Sequence, residues 1–185
     1  MAAAALTSRR VGAAFVFILL AAALLRLPWL DRHDLIDDEA LLSFRGIGYA
    51  DTWLGSLKPP MEAFASRQWW QPLSFHDHPP LAFLVQHAFL RTLGATVWAA
   101  RLPFALAGIA TVFVAYLLGA RLAGRRYGLW TAAVLAGANY HVWISRVAFI
   151  EGLLLLLVVL ALWLLVRSLD DPRAWPWLGL AVGGA

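Results

Sequence analysis

The chain has 185 residues, of which 62% are hydrophobic, with 10 Trp and no Cys, a mean hydropathy of +0.70 and a formal net charge of +4. That apolar share is well above the roughly half typical of soluble domains, so the composition specifies a membrane protein, and the missing cysteines exclude a disulfide framework and thiolate chemistry. The charge is segregated: residues 31–78 hold eight acidic and four basic side chains, a net −4, while the rest holds eleven basic and three acidic, a net +8, a pattern that speaks for lipid headgroups and membrane orientation rather than nucleic acid.

Crossing a bilayer takes roughly 20 apolar residues in a helix. The first candidate span is 11–30, preceded by Arg9-Arg10. Arg26 and Leu27-Pro28-Trp29 stand where a signal peptide needs small residues at its cleavage site, so the segment reads as an uncleaved anchor with its N-terminus inside. Just beyond it, Asp37, Asp38 and Glu39 crowd the exit. Carboxylates this close repel one another and tend to hold a cation, a basic partner or a shared proton, which is how reactive groups acquire shifted pKa values. The same triplet also suits a solvated helix start.

Residues 31–78 form the one long polar region, broken by Pro59-Pro60 and Pro72. Leu41, Leu42, Phe44, Ile47, Trp53 and Leu54 among charged neighbours predict short amphipathic helices on the membrane surface. Trp69-Trp70 suits the interfacial belt, where an indole buries its ring and keeps its N–H wet.

The polar region ends in His76-Asp77-His78-Pro79-Pro80-Leu81. Two prolines suit a helix start, because first-turn N–H groups have no partner inside the helix and proline has none to waste. The free first-turn amides favour an anion just outside. There His78 could donate to a phosphate; Asp77 and the His pair could equally hold a divalent cation with Asp38 or Glu39. A plain loop-ending turn stands beside both readings.

Further candidate spans cover 79–94, 102–123, 128–144 and 152–166, and a last one begins at 175 and stops about half a crossing later, as if the chain were cut mid-span. The expected fold is an all-α polytopic membrane protein with one domain over 1–185 and its first loop outside the cytoplasm. If every segment crosses, Arg121, Arg125 and Arg126 fall on the same side as the acidic loop, against the usual cytoplasmic excess of basic residues. The segment to doubt is 79–94, which is short and holds Gln86, His87 and Arg91.

Asp38-Glu39 after the first span, His78-Pro79-Pro80-Leu81 before the second, Arg101-Leu102-Pro103 opening the third, and Ser145-Arg146 some five residues before Glu151 follow a familiar order. In it the chain resembles the N-terminal part of the family 39 glycosyltransferases, integral membrane enzymes of the GT-C superfamily that include protein O-mannosyltransferases and lipid A aminoarabinose transferases. Glu151 departs from the pattern, standing where related sequences often have Asp. The resemblance implies a GT-C-like helical bundle in the inner or plasma membrane. It further implies transfer of a sugar from a polyprenyl-phosphate donor to a lipid, glycan or protein acceptor on the extracytoplasmic face, with inversion at the anomeric carbon.

Such a reaction needs a base for the acceptor's proton and a group to stabilise the departing phosphate. On the resemblance, Asp38 is the candidate base, and Glu39 orients it, binds the acceptor or joins a metal site. Asp77 and His78 fall near the leaving phosphate, and Arg101 and Arg146 are candidate partners for phosphate or carboxylate, since charged residues within apolar segments are rarely idle. A divalent cation, the one cofactor these residues suggest, would draw on Asp38, Asp77 and His78. A transporter would be expected to show paired, broken helices in repeated halves, and no internal repeat is visible; an embedded metalloprotease would want His-Glu-x-x-His, which is absent. A noncatalytic membrane subunit or lipid-binding assembly protein is the rival that remains.

Overall fold

The structure, a computed structural model, describes residues 2–47 and 80–184, with side chains from 10 to 47 and from 81 to 184. Trp69-Trp70, Asp77, His78 and Pro79 lie outside the described residues. In chain order the elements are α1 (Ala2–Arg26), α2 (Asp37–Ile47), α3 (Pro80–Leu93), α4 (Val97–Ala123), α5 (Arg125–Gly137), α6 (Asn139–Ser145), α7 (Ile150–Ser168), a 3-10 turn (Pro172–Ala174) and α8 (Trp175–Gly184). No strand occurs among the described residues. Both α4 and α7 are long and apolar enough to cross a membrane, whereas the apolar part of α3, Leu81–Leu93, is shorter. The chain is an all-α membrane protein.

The 27-residue α4 is the axis of the bundle. Its start is capped by Thr96, whose Oγ1 accepts from the Ala99 N–H at 3.2 Å. It stops at Gly124, whose φ of 93° is open to glycine without strain and turns the chain directly into α5. The two helices pack backbone to backbone: a Cβ at Gly128 would stand 2.7 Å from the Tyr116 carbonyl oxygen, and one at Gly119 would stand 2.6 Å from Thr131 Oγ1. Lipid tails are as apolar as leucine, so close approach of small residues is a main source of helix association in a membrane.

α1 runs antiparallel to α4. Phe15 stacks on Tyr116 with ring centroids 4.0 Å apart, Ala22 packs with Val112, Ala132 and Ala136, and the Arg26 side chain reaches Gly108. α7 runs parallel to α4: Glu39 joins Arg101 near the start of α4 to Ala148 just before α7, while Arg121 near the end of α4 pairs with Asp170 just after α7.

Two sequence expectations need correction. The apolar stretch 128–144 is not one helix, because Ala138 takes an extended conformation (ψ 116°) that separates α5 from α6. The break frees the carbonyls of Leu135 and Ala136, and Arg26 occupies them, with Nη1 donating to Ala136 at 3.0 Å and Nη2 to Leu135 at 3.3 Å. A buried cation at the negative end of α5 thus replaces the lost helical bonds. Secondly, α2 and α4 begin at the same end of the bundle, where Glu39 meets Arg101. Arg121, Arg125 and Arg126 consequently lie at the far end of α4 from Glu39, about 30 Å away at 1.5 Å per residue, and not beside the carboxylates that open α2.

Candidate active site

At the end of the bundle where α1 finishes, the chain turns through 27–36 and starts α2 with Asp37, Asp38 and Glu39. Asp37 has a positive φ of 39°, which aspartate tolerates better than most residues. Successive residues on a helix point about 100° apart, so neighbours in the triplet meet different surroundings.

Glu39 is turned fully inward, with 0% of its surface exposed. Arg101 holds it in a fork, Nε to Oε1 at 2.6 Å and Nη2 to Oε2 at 2.7 Å, and the Ala148 amide donates to the same Oε1 at 2.7 Å. The remaining hydrogens of Arg101 go to three carbonyls of the α1–α2 turn: Leu30 at 2.6 Å, His33 at 2.8 Å and Asp34 at 3.0 Å. An arginine has five N–H donors, and all five of these are engaged. Arg101 is therefore the counter-ion of Glu39 and the clasp of the turn, with no donor left for a phosphate.

Asp38 is exposed. It lines a recess of about 220 Å³ together with Leu41 and Leu42 of α2, Phe149, and Ile150 and Glu151 of α7. Glu151 is exposed as well and stands in the first turn of α7, where Phe149 supplies no capping side chain and a negative charge suits the helix's positive end. The recess thus brings two carboxylates, contributed by residues 113 positions apart, to one apolar-floored hollow. The sequence placed Glu151 in order but gave it no role, although a carboxylate opening a leucine-rich helix was the available signal.

Arg146 is committed elsewhere. Nη1 donates to the carbonyls of Leu25 and Arg26 at 3.1 and 3.2 Å, and Nη2 to those of Pro28 and Trp29 at 2.8 and 3.4 Å, so it caps the end of α1. It also anchors the turn 146–149 on which the recess rests. Behind the recess, α2 is held to α3 by buried polar contacts: Gln86 Nε2 donates to Ser43 Oγ at 3.1 Å and to the Ala100 carbonyl at 3.2 Å. His87 Nδ1 meets the Gly46 carbonyl at 2.9 Å. Among the described residues no three His, Cys, Asp or Glu side chains gather as a metal site; the set of Asp38, Asp77 and His78 extends beyond them.

The arrangement offers one solvent-facing carboxylate whose immediate neighbour is neutralised by a buried arginine, facing a second carboxylate across a small hollow. It can take a proton from a hydroxyl presented there. The chain is similar to YkcB of Bacillus subtilis (strain 168), a proposed mannosyltransferase, with 30% identity over 93 residues that make up 50% of this chain and 13% of that protein. The matched stretch is thus a small part of the relative's length. No solved structure matches the chain. The pattern of the family described as dolichyl-phosphate-mannose-protein mannosyltransferase matches residues 77–185, more than half of the chain, and so runs through α3, α4, the clasp at Arg101 and the start of α7. With this match and the bundle together, the chain belongs to the dolichyl-phosphate-mannose-protein mannosyltransferase family.

Proposed function

We propose that the chain supplies part of the catalytic centre of an inverting glycosyltransferase, which moves a sugar from a polyprenyl-phosphate donor to a lipid, glycan or protein acceptor on the extracytoplasmic face. The observation that carries this reading is the opposite fate of two adjacent carboxylates: Glu39 is buried and paired, whereas Asp38 is open in the recess beside Glu151. Asp38 takes the proton of the acceptor hydroxyl as its oxygen attacks the anomeric carbon. The bond from that carbon to the phosphate oxygen breaks, and the phosphate leaves with the electron pair. Because Arg101 is fully engaged, the leaving phosphate needs another partner, and His78 is the candidate for it.

The orientation is supported by charge. Arg10 in the N-terminal half of α1, Arg121 in the last turn of α4, and Arg125 and Arg126 opening α5 share the end of the bundle opposite the recess. Basic residues collect on the cytoplasmic side, which leaves the recess outside.

The test is Asp38→Asn in the complete protein, assayed in membranes with polyprenyl-phosphate mannose as the first donor. Loss of a general base should lower transfer by about two to four powers of ten with the protein level unchanged. Wild-type turnover would remove Asp38 from the chemistry, and absence of transfer by the wild type with any polyprenyl-phosphate sugar would favour a noncatalytic subunit.

A further inference from the structure

Glu39 Oε1 accepts two hydrogen bonds from two different parts of the fold, Arg101 Nε of α4 at 2.6 Å and the Ala148 amide ahead of α7 at 2.7 Å. Glu39 follows Asp38 directly, and Ala148 precedes Glu151 by three residues. The two carboxylates that face the recess thus belong to separate helix starts, and this one buried oxygen bridges them. We propose that Glu39 is a positioning residue whose side-chain length sets the separation between Asp38 and Glu151, with Arg101 as the fixed post against which it is braced. The proposal rests on the reading of the recess as the reactive centre.

The physical case is geometric. The turn 146–149 is held against the bundle by packing, with Ala148 fully buried among Leu90, Ala99, Ala100 and Phe104 and Arg146 tied to the end of α1, while the Ala148 amide makes its hydrogen bond to α2 through Glu39. α2 is only 11 residues long and meets α4 at its start through the same carboxylate. Glu39 is completely buried, and Arg101 nearly so, with 8% of its side chain exposed. The pair is consequently shielded from water and its geometry is stiff. Shortening the side chain by one methylene would require either α2 or the 146–149 turn to move by about 1.3–1.5 Å, and displacements of about 1 Å at a reacting centre can cost a hundredfold in rate.

This role separates from a direct chemical role of Glu39 by the order of two substitutions. Glu39→Asp keeps the charge and loses the length; Glu39→Gln keeps the length and one oxygen for Arg101 and Ala148, and loses the charge. A spacer predicts that Glu39→Asp has the lower kcat per folded molecule, about ten- to a hundredfold below wild type, with the donor KM within about threefold. A base, metal ligand or acceptor-binding charge predicts the reverse order, and that order overturns the proposal.

A second readout does not depend on turnover. Leu41→Cys and Ile150→Cys, both on the recess, are joined in a background without other cysteines by short bifunctional thiol reagents of graded span. In the presence of Glu39 one span should dominate; Glu39→Asp should shift the preferred span or lower its yield at least threefold. An unchanged span profile with Glu39→Asp overturns the spacer role even if activity falls. Because this profile is read without a donor sugar, it stands or falls separately from the assignment of Asp38 as base.

Discussion

Gly46 of α2 lies against Gln86 of α3 so closely that a Cβ there would come within 2.5 Å of Gln86 Oε1. Gln86 cannot simply swing aside, since its Nε2 is held by Ser43 Oγ and the Ala100 carbonyl. Gly46→Ala should therefore cost about 1–3 kcal/mol through overpacking and a strained buried hydrogen-bond pair. A lower midpoint of thermal unfolding in detergent measures it.

Gly128→Ala should be the harsher substitution, because the obstacle is the Tyr116 carbonyl at 2.7 Å together with Ala120 N and Cβ at 2.9 Å, which move only if α4 and α5 part. Gly137→Ala, with nothing within 4 Å of the new methyl, is the control. The expected ranking in folded yield is Gly137→Ala above Gly46→Ala above Gly128→Ala, read by fluorescence-detected size exclusion of the solubilised protein.

Two of the arginines that pair with acids, Arg101 and Arg121, should behave differently. Arg101→Gln leaves the Glu39 charge buried without its partner, and breaking such a pair costs about 3–5 kcal/mol. The double variant Glu39→Gln with Arg101→Gln removes both charges and should accumulate better than Arg101→Gln alone. Arg121→Ala breaks only the exposed pair with Asp170, whose side chains are 47% and 65% exposed, and should change stability by less than about 1 kcal/mol. Thermal midpoints of the four proteins give the comparison.

Cysteines at Ile36 and Tyr127, both exposed, should report opposite sides of the membrane. An impermeant thiol reagent applied to intact cells should label position 36 and reach position 127 only after lysis. Labelling of both positions in intact cells, or of position 127 alone, would reverse or cancel the orientation on which the reaction's outer face depends.

The helices were legible because hydropathy reports burial and lipid exposure directly: the apolar runs at 102–123 and 152–166 sit within α4 and α7. The break at Ala138 was not read, although Gly137 and Asn139 flank it; what stabilises it is Arg26, which is 112 residues away in sequence. The same limit applies to the carboxylates. Asp38 and Glu39 are neighbours with nearly identical chemistry, and which one turns inward depends on where Arg101 and Ala148 stand once the bundle is packed. Arg101 and Arg146 were read as candidate anion partners from charge and position; their actual partners, a glutamate and seven backbone carbonyls, appear only in three dimensions.

The separation of charge along α4 carries a consequence for how the protein stays put. Among the described residues, Arg121, Arg125 and Arg126 gather at one end with Arg167 and Arg173, against Asp170 and Asp171. In a bilayer polarised negative inside, carrying one positive charge across 100 mV costs about 2.3 kcal/mol. With the recess outside, as proposed, turning the bundle over would drag the excess of arginines up that gradient, so the transmembrane voltage would add to the cost of inversion.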